Sequence, residues 1–345
     1  MEGLLQNNII KYINLSVVNK NTDKLKKIHN EIKNIYNLID KNLFTINKNN
    51  DKCDFIITQI NKTQLIEFEQ FNLYVKAIKN VTELSYKNII FYTTDNINIE
   101  KSKEMLKIAL TFAEYRNITN NITIIWCPIN KNRDFNFKEI NDKTLKESIK
   151  NFDAFSSSGL TIGNLTFVTR IEEAEKLLLH ELIHNYDIDG SNYHKNLDKV
   201  INTYEKTKNI KHYKYDYCLY ESYAELLSSY FSMIFRNIDD PNRIEIEIII
   251  EILYSYNTVC NIIKLNGYTN IDDFITNGYF KGDICFYEYY YLKALMYNNF
   301  VLKFGTTFDD FVNIYETIIE IKPDKLLKQI FYNSYKQKNY KYIFY

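Results

Sequence analysis

Apolar residues recur at helical spacing over much of residues 1–85, with segments near 4–20, 22–41 and 63–79. The Asn/Lys/Asp run at 46–52 interrupts them as a loop. The pattern then changes. Asn88 to Thr94 is strand-like, Glu100 to Tyr115 helical and Ile122 to Cys127 strand-like again, a β-α-β order that predicts a small sheet. Asn130 to Phe137 is polar and reads as a loop, as does Ser156-Ser157-Ser158-Gly159. Leu160 to Thr169, rich in Thr, Val, Phe and Ile, suits a strand. Thr169-Arg170-Ile171-Glu172 has the form of a capping box. Ile171, Ala174, Leu177, Leu178, Leu182 and Ile183 follow at helical spacing, so a helix is expected from about Arg170 to Tyr186, ending before Gly190. Tyr217 to Arg236 is helical in pattern. Ile244 to Ile263 reads as one helix, although its opening I-E-I-E-I alternation fits a strand equally. Further helices are expected near 284–300, 307–320 and 324–336. The whole is an α+β chain: a helical N-terminal region over 1–85, then a region over 86–345. Its sheet part covers about 86–170, and a mainly helical part covers about 170–345. No internal repeat or linker interrupts it.

The expected helix over 170–186 carries His180-Glu181-Leu182-Ile183-His184, which reads H-E-x-x-H. Residues four apart on a helix share a face, with Cβ atoms about 5–6 Å apart. Two imidazoles so spaced can take two corners of a Zn²⁺ tetrahedron. The glutamate beside the first then lies next to the open position, where it can act as general base on a water molecule. With 5 His and 43 Asp+Glu in 345 residues, an accidental H-[DE]-x-x-H occurs in roughly one such chain in a hundred.

A third ligand is needed. A histidine six residues after His184 would continue one known pattern, but that position is Gly190. Asp187, Asp189, His194, His212, Glu221 and Glu225 are the alternatives. Glu221 is preferred, with Glu225 behind it. Glu221, Ala224, Glu225 and Ser228 lie on one helical face, and the small residues allow close approach of another helix. One carboxylate can bind the metal while the second accepts a hydrogen bond from the outer nitrogen of a ligand histidine. The bland alternative is a solvated acidic face.

H-E-x-x-H followed by E-x-x-x-[DE] on a later helix resembles the gluzincin pattern of zinc peptidases. Within it, Glu221-Ser222-Tyr223-Ala224-Glu225 looks like the second motif of metallopeptidases of the anthrax lethal factor type. The resemblance covers these two helices. It implies a zincin-like fold with His180, His184 and Glu221 as ligands, Glu181 as base and Glu225 as the supporting acid. It also implies a tyrosine shortly before the second motif that assists at the oxyanion or leaving group; Tyr213, Tyr215 and Tyr217 all lie near that position. From about residue 120 to the C-terminus the chain is also similar to metallopeptidase-like proteins of large DNA viruses. The shared features are Ser158-Gly159-Leu160-Thr161, Arg170-Ile171-Glu172-Glu173, both zinc motifs and Tyr289-Tyr290-Tyr291-Leu292-Lys293. That likeness brings no substrate. Tyr289, Tyr290 and Lys293 are candidates for reaching the cleft, where a tyrosine hydroxyl could donate to a developing oxyanion; core packing is the commoner use of such tyrosines.

Composition narrows the partners. The 43 basic and 43 acidic residues cancel, which argues against nucleic acid or an acidic membrane as the main partner. The 30 tyrosines and 22 phenylalanines, beside only 3 prolines and 8 glycines, have the imprint of an AT-rich genome and give little weight to any single aromatic. Five cysteines, odd in number and widely spaced without a C-x-x-C, exclude a disulfide framework and a Cys₄ zinc site. Cys218, one turn before Glu221, reads as a buried free thiol. The N-terminus has no basic region followed by an apolar run, so no secretory signal is expected. The most apolar stretch, Ile244 to Leu253, is interrupted by Glu245, Glu247 and Glu251 and does not suit a membrane span. An intracellular, cytoplasmic protein is expected, in the host cytoplasm if the chain is viral. The expected activity is zinc-dependent hydrolysis of a protein or peptide substrate, with Glu181 as base and Tyr215, Tyr289 or Tyr290 assisting. The alternatives are a catalytically inactive zinc-binding or scaffold protein that keeps the fold, and a helical scaffold in which the motif is accidental.

Overall fold

The computed structural model describes residues 9–48, 50–62, 75–76, 78–94, 99–129, 159–171, 173–208, 219–265, 267–277 and 287–334. The fold is mixed α+β with a six-stranded sheet. The chain divides into two compact units, one of Met1–His29 with Asp187–Lys341, the other of Asn30–Tyr186 with Tyr342–Tyr345.

The second unit is built on strands β1 (Thr45–Lys48), β2 (Val81–Tyr86), β3 (Ile89–Thr94), β4 (Ile122–Ile129), β5 (Gly159–Ile162) and β6 (Leu165–Arg170), in the order β1-β2-β3-β4-β6-β5. β3 and β4 run parallel, as do β4 and β6; the other neighbours are antiparallel. Ile124, Ile125, Trp126 and Cys127 are all fully buried, the continuous apolar run of a central strand covered on both faces. On one face Tyr92, Ile125, Cys127 and Phe167 pack with Ile56 and Ile60 of α2 (Cys53–Asn61). On the other lie Phe91 and Trp126, in edge-to-face contact. The crossover helix α3 (Ile99–Tyr115) buries Met105, Leu106, Ala109, Phe112 and Ala113 and packs on α4 (Ala174–Asn185).

The expected β-α-β order over 88–127 is present. Three local expectations are corrected. The single strand over 160–169 is a hairpin, β5 and β6, turning at Gly163-Asn164; that dipeptide is itself a hairpin signal. Thr169 does not open a helix. It is buried in β6, whose pairing with β4 extends to Arg170, and α4 starts only at Ala174, after Glu173 at φ 56°. Finally, 45–48 is a strand where the Asn/Lys/Asp run reads as a loop, and 81–86 is a strand at the end of a region that reads as helical; β1 lies at the sheet edge with every residue exposed, and the alternation of both is short. The segment at 63–79 falls almost wholly outside the described residues.

The first unit is helical: the N-terminal part of α1 (Leu15–Leu38), then α5 (His194–Lys208), α6 (Leu219–Arg236), α7 (Arg243–Leu265), α8 (Ile271–Asn277), α9 (Lys293–Asn299), α10 (Phe308–Ile319) and α11 (Lys325–Ser334). The ambiguous I-E-I-E-I stretch is helical, with Ile244, Ile248 and Ile252 inside and Ile246 outside. The helices expected near 4–20 and 22–41 are one helix, α1, preceded by a short turn at Ile9–Tyr12. Asn21 breaks the apolar stripe in sequence but not in space. Fully buried, its amide donates to Tyr230 Oη (3.1 Å) and the Phe300 carbonyl (3.0 Å) and accepts from the Leu302 N–H (2.8 Å). Among the described residues no helix is long and apolar enough to cross a membrane.

Asn21 thus satisfies three buried partners at once. Asn21→Leu keeps the volume and strips these bonds, so unfolding free energy measured in denaturant should fall by about 2–4 kcal/mol. A loss under about 0.5 kcal/mol would show that the three bonds contribute nothing net.

Candidate metal centre

Helix α4 buries Ala174, Leu178, Leu179, Leu182 and Ile183 on its apolar face, with His180 and Glu181 also buried. The two histidines stand one turn apart, and their Nε2 atoms are 3.0 Å apart, with the rings nearly perpendicular. Such a separation suits a hydrogen bond between one protonated and one bare nitrogen. It equally suits two lone pairs converging on one cation, since tetrahedral ligands about 2.0–2.1 Å from zinc lie about 3.3 Å from each other.

Glu181 is only 6% exposed, and strand β5 forms the wall against it. A Cβ on Gly159 would meet Glu181 Oε1 at 2.5 Å, Cγ at 2.7 Å and Cδ at 2.8 Å, so any larger residue there would displace the Glu181 side chain from this position. Two residues along the same strand face, Thr161 Oγ1 lies 2.9 Å from Glu181 Oε2 and 2.9 Å from its main-chain oxygen. One turn further along α4, Asn185 Nδ2 donates to the Gly163 carbonyl and to Thr166 Oγ1, each at 3.2 Å. The helix is therefore fastened to the hairpin beside the proposed base and again one turn later. Tyr186 closes the helix. Its ring stacks on Phe112, and burial pushes its hydroxyl pKa above the usual tyrosine value.

On α6, Glu221 and Glu225 are partly buried one turn apart, with Ala224 and Ser228 buried beside them. Glu225 Oε1 accepts from Lys293 Nζ at 2.9 Å, and both side chains are largely sequestered, at 6% exposure for the lysine and 13% for the glutamate. A buried ammonium needs such a counter-charge. Lys293 opens α9 directly after a π-helical turn at Tyr287–Leu292, and its Nζ lies 5.8 Å from the Tyr290 ring. A π turn inside a helix is often found where side chains are aimed for function.

Among the described residues His180, His184 and Glu221 each offer one ligand atom, and these atoms lie within 4.8 Å of one another. Two imidazole nitrogens and one carboxylate oxygen can hold a metal ion. Of the other ligands considered, Asp187 accepts from Asn192 N–H and Ser191 Oγ in the loop after α4, and Asp189 caps Ser191 N–H. Tyr315 donates to the Asp189 carbonyl, and its pKa is held well above the ordinary value, first by burial and then by neighbouring acids that include Glu221. His212, Tyr213, Tyr215, Tyr217 and Cys218 lie outside the described residues, as do the side chains of His194 and Tyr289. Tyr290 is half-buried and packs by Lys293.

Sequence reasoning gave no role to Gly159 or Thr161 and did not pair Lys293 with Glu225. The period-two spacing of 159 and 161 on a strand that precedes the motif helix was the available signal. No family model, no curated protein and no solved structure matches the chain.

The close approach at Gly159 is testable by stability alone. Gly159→Ala should cost about 1–3 kcal/mol of folding free energy. In a Glu181→Ala background, where the obstructing atoms are gone, the same change should cost less than about 0.5 kcal/mol. Equal costs in both backgrounds would mean that the contact does not constrain position 159.

Proposed function

We propose that this chain is a zinc-dependent peptide hydrolase of the gluzincin kind, with a zincin-like arrangement resembling the anthrax lethal factor type. The observation that carries the proposal is the convergence of His180, His184 and Glu221 within 4.8 Å, beside a buried glutamate adjacent in sequence to the first histidine. Two nitrogens and one carboxylate oxygen match the donor types and ligand count of a catalytic zinc site, which leaves a position open. When bound, zinc would supply Lewis acidity, making a water more acidic and polarising the scissile carbonyl.

The chain's own residues do the rest. Glu181 takes a proton from the water as its oxygen bonds to the carbonyl carbon and the carbonyl oxygen gains the displaced electron pair, then returns that proton to the leaving amine as the C=O re-forms and the C–N bond breaks. Glu225, one turn from Glu221 and paired with Lys293, is the proposed supporting acid for a ligand histidine. Among the described residues β5 pairs with β6 and ends the sheet. We infer that an extended peptide, the substrate class proposed here, adds at that edge. Tyr215, Tyr289 and Tyr290 are the proposed assistants at the oxyanion.

Mass spectrometry of purified wild-type chain should find one zinc per chain, with clear loss in His184→Ala and in Glu221→Ala. Loss in His184→Ala alone would move the third ligand to Asp187, Asp189, His194 or His212. Glu181→Gln should retain the metal and lose about 10²–10⁴-fold in hydrolysis of a mixed peptide library. Undiminished hydrolysis in that variant would end the catalytic reading. Folded wild-type chain that holds no metal after chelator-free purification would end the zinc reading. Zinc at a thousand times its Kd should raise stability by about 4 kcal/mol, lost on chelation.

A further inference from the structure

A glutamate on a helix has three side-chain torsions and, left alone, sweeps a wide arc. A general base must be held to a fraction of an ångström to be useful. The means of holding Glu181 come from β5. Gly159 removes the side chain that would otherwise occupy its place, so the carboxylate lies against the strand itself. Thr161 supplies the polar contact, with Oγ1 2.9 Å from Oε2. A hydroxyl donating to an ionised carboxylate makes one of the stronger hydrogen bonds available to a neutral side chain. The same Oγ1 is 2.9 Å from the main-chain oxygen of Glu181. Its single proton is shared between the two acceptors or alternates between them, tying the side chain both to its own backbone and to the strand. Threonine suits this role in a strand, since its β-branch restricts χ1 and so the direction of the hydroxyl.

We propose that Thr161 is a positioning residue for Glu181, fixing the orientation of its carboxylate toward the His180–His184–Glu221 centre through the hydroxyl. The inference rests on the zinc-hydrolase reading and adds to it a residue outside both sequence motifs. The rival role is purely architectural, in which Thr161 fastens β5 to α4 through the main-chain oxygen and the carboxylate contact is incidental. The hairpin's second attachment, through Asn185 to Gly163 and Thr166, keeps β5 on α4 in either case. Removing the hydroxyl therefore tests the first role without undoing the second.

The test uses full-length, zinc-loaded protein and acetohydroxamate, which chelates zinc through two oxygens and donates a proton to a carboxylate beside the metal. Its affinity, measured by calorimetry, reads the position of Glu181 without requiring turnover. Thr161→Val should keep the zinc and weaken the hydroxamate about tenfold, the loss of one charge-assisted hydrogen bond. Thr161→Ser should restore affinity to within about threefold of wild type, because it keeps the hydroxyl. Thr161→Val combined with Glu181→Gln should bind no more weakly than Glu181→Gln alone, since both changes act through one group. Thr161→Ala replaces Thr161→Val if the latter does not fold. A hydroxyl-less variant that holds zinc and binds the hydroxamate as wild type does would overturn the proposal. So would zinc loss in that variant, or a weakening that serine does not rescue, because either outcome assigns Thr161 the architectural role. Wild-type chain without zinc would overturn the underlying reading instead, an outcome distinct from zinc-replete chain indifferent to the hydroxyl.

Discussion

The closeness of β5 to α4 is the constraint on which the candidate site depends. Glu181 is buried against the backbone of β5, and its side chain keeps this position because residue 159 has no Cβ to displace it. Burying a carboxylate is costly unless hydrogen bonds compensate, and Thr161 supplies one from the same strand face. Small and polar residues at alternate positions thus do in the strand what apolar residues do elsewhere in the sheet: they set the distance between layers.

The helical unit uses buried polar groups to a similar end. Asn21 joins α1 to α6 and to the segment at 300–302. Asp324 accepts from Tyr256, Asn298 and Asn299 and caps the start of α11 through Leu327 N–H. Lys293 and Glu225 hold α9 against α6. Each arrangement has donors and acceptors that fit in one geometry, so these helices are located by direction as well as by apolar contact. The precision matters most at α6, whose first turn carries Glu221.

The sequence made the strongly periodic elements legible. The β-α-β order, the motif helix, α6, α7 and the last two helices follow from spacing alone, and His180, Glu181 and His184 follow from the motif. What escaped it was non-local. The break expected near residue 21 fails because Asn21 finds partners about 200 and 280 positions away, at Tyr230 and at Phe300 and Leu302. Thr169 has the residue type of a cap, yet it lies inside β6, whose pairing with β4 extends past it to Arg170. β2 is too short for its alternation to outweigh the helical pattern before it, and β1 overlaps a polar run that reads as a loop. Two acids with small neighbours on one helical face point to Glu221, whereas Gly159 and Thr161, legible only as part of a stretch shared with viral metallopeptidase-like proteins, gain a role once the strand is laid against the helix. Lys293 stands in a motif, and its partner Glu225 is visible only in space.

Gly190 sits where another ligand plan would have put a histidine. Its φ of +73° disfavours any side chain, and a Cβ there would meet the Phe311 ring at 2.7 Å, a ring that a Cβ on Gly305 would also meet at 2.7 Å. Phe311 in turn stacks on Tyr315 in the wall of the helical unit. A histidine at position 190 is therefore closed to this fold by the packing of an aromatic core, and a third donor to the candidate group has to come from elsewhere in the chain, as Glu221 on α6 offers.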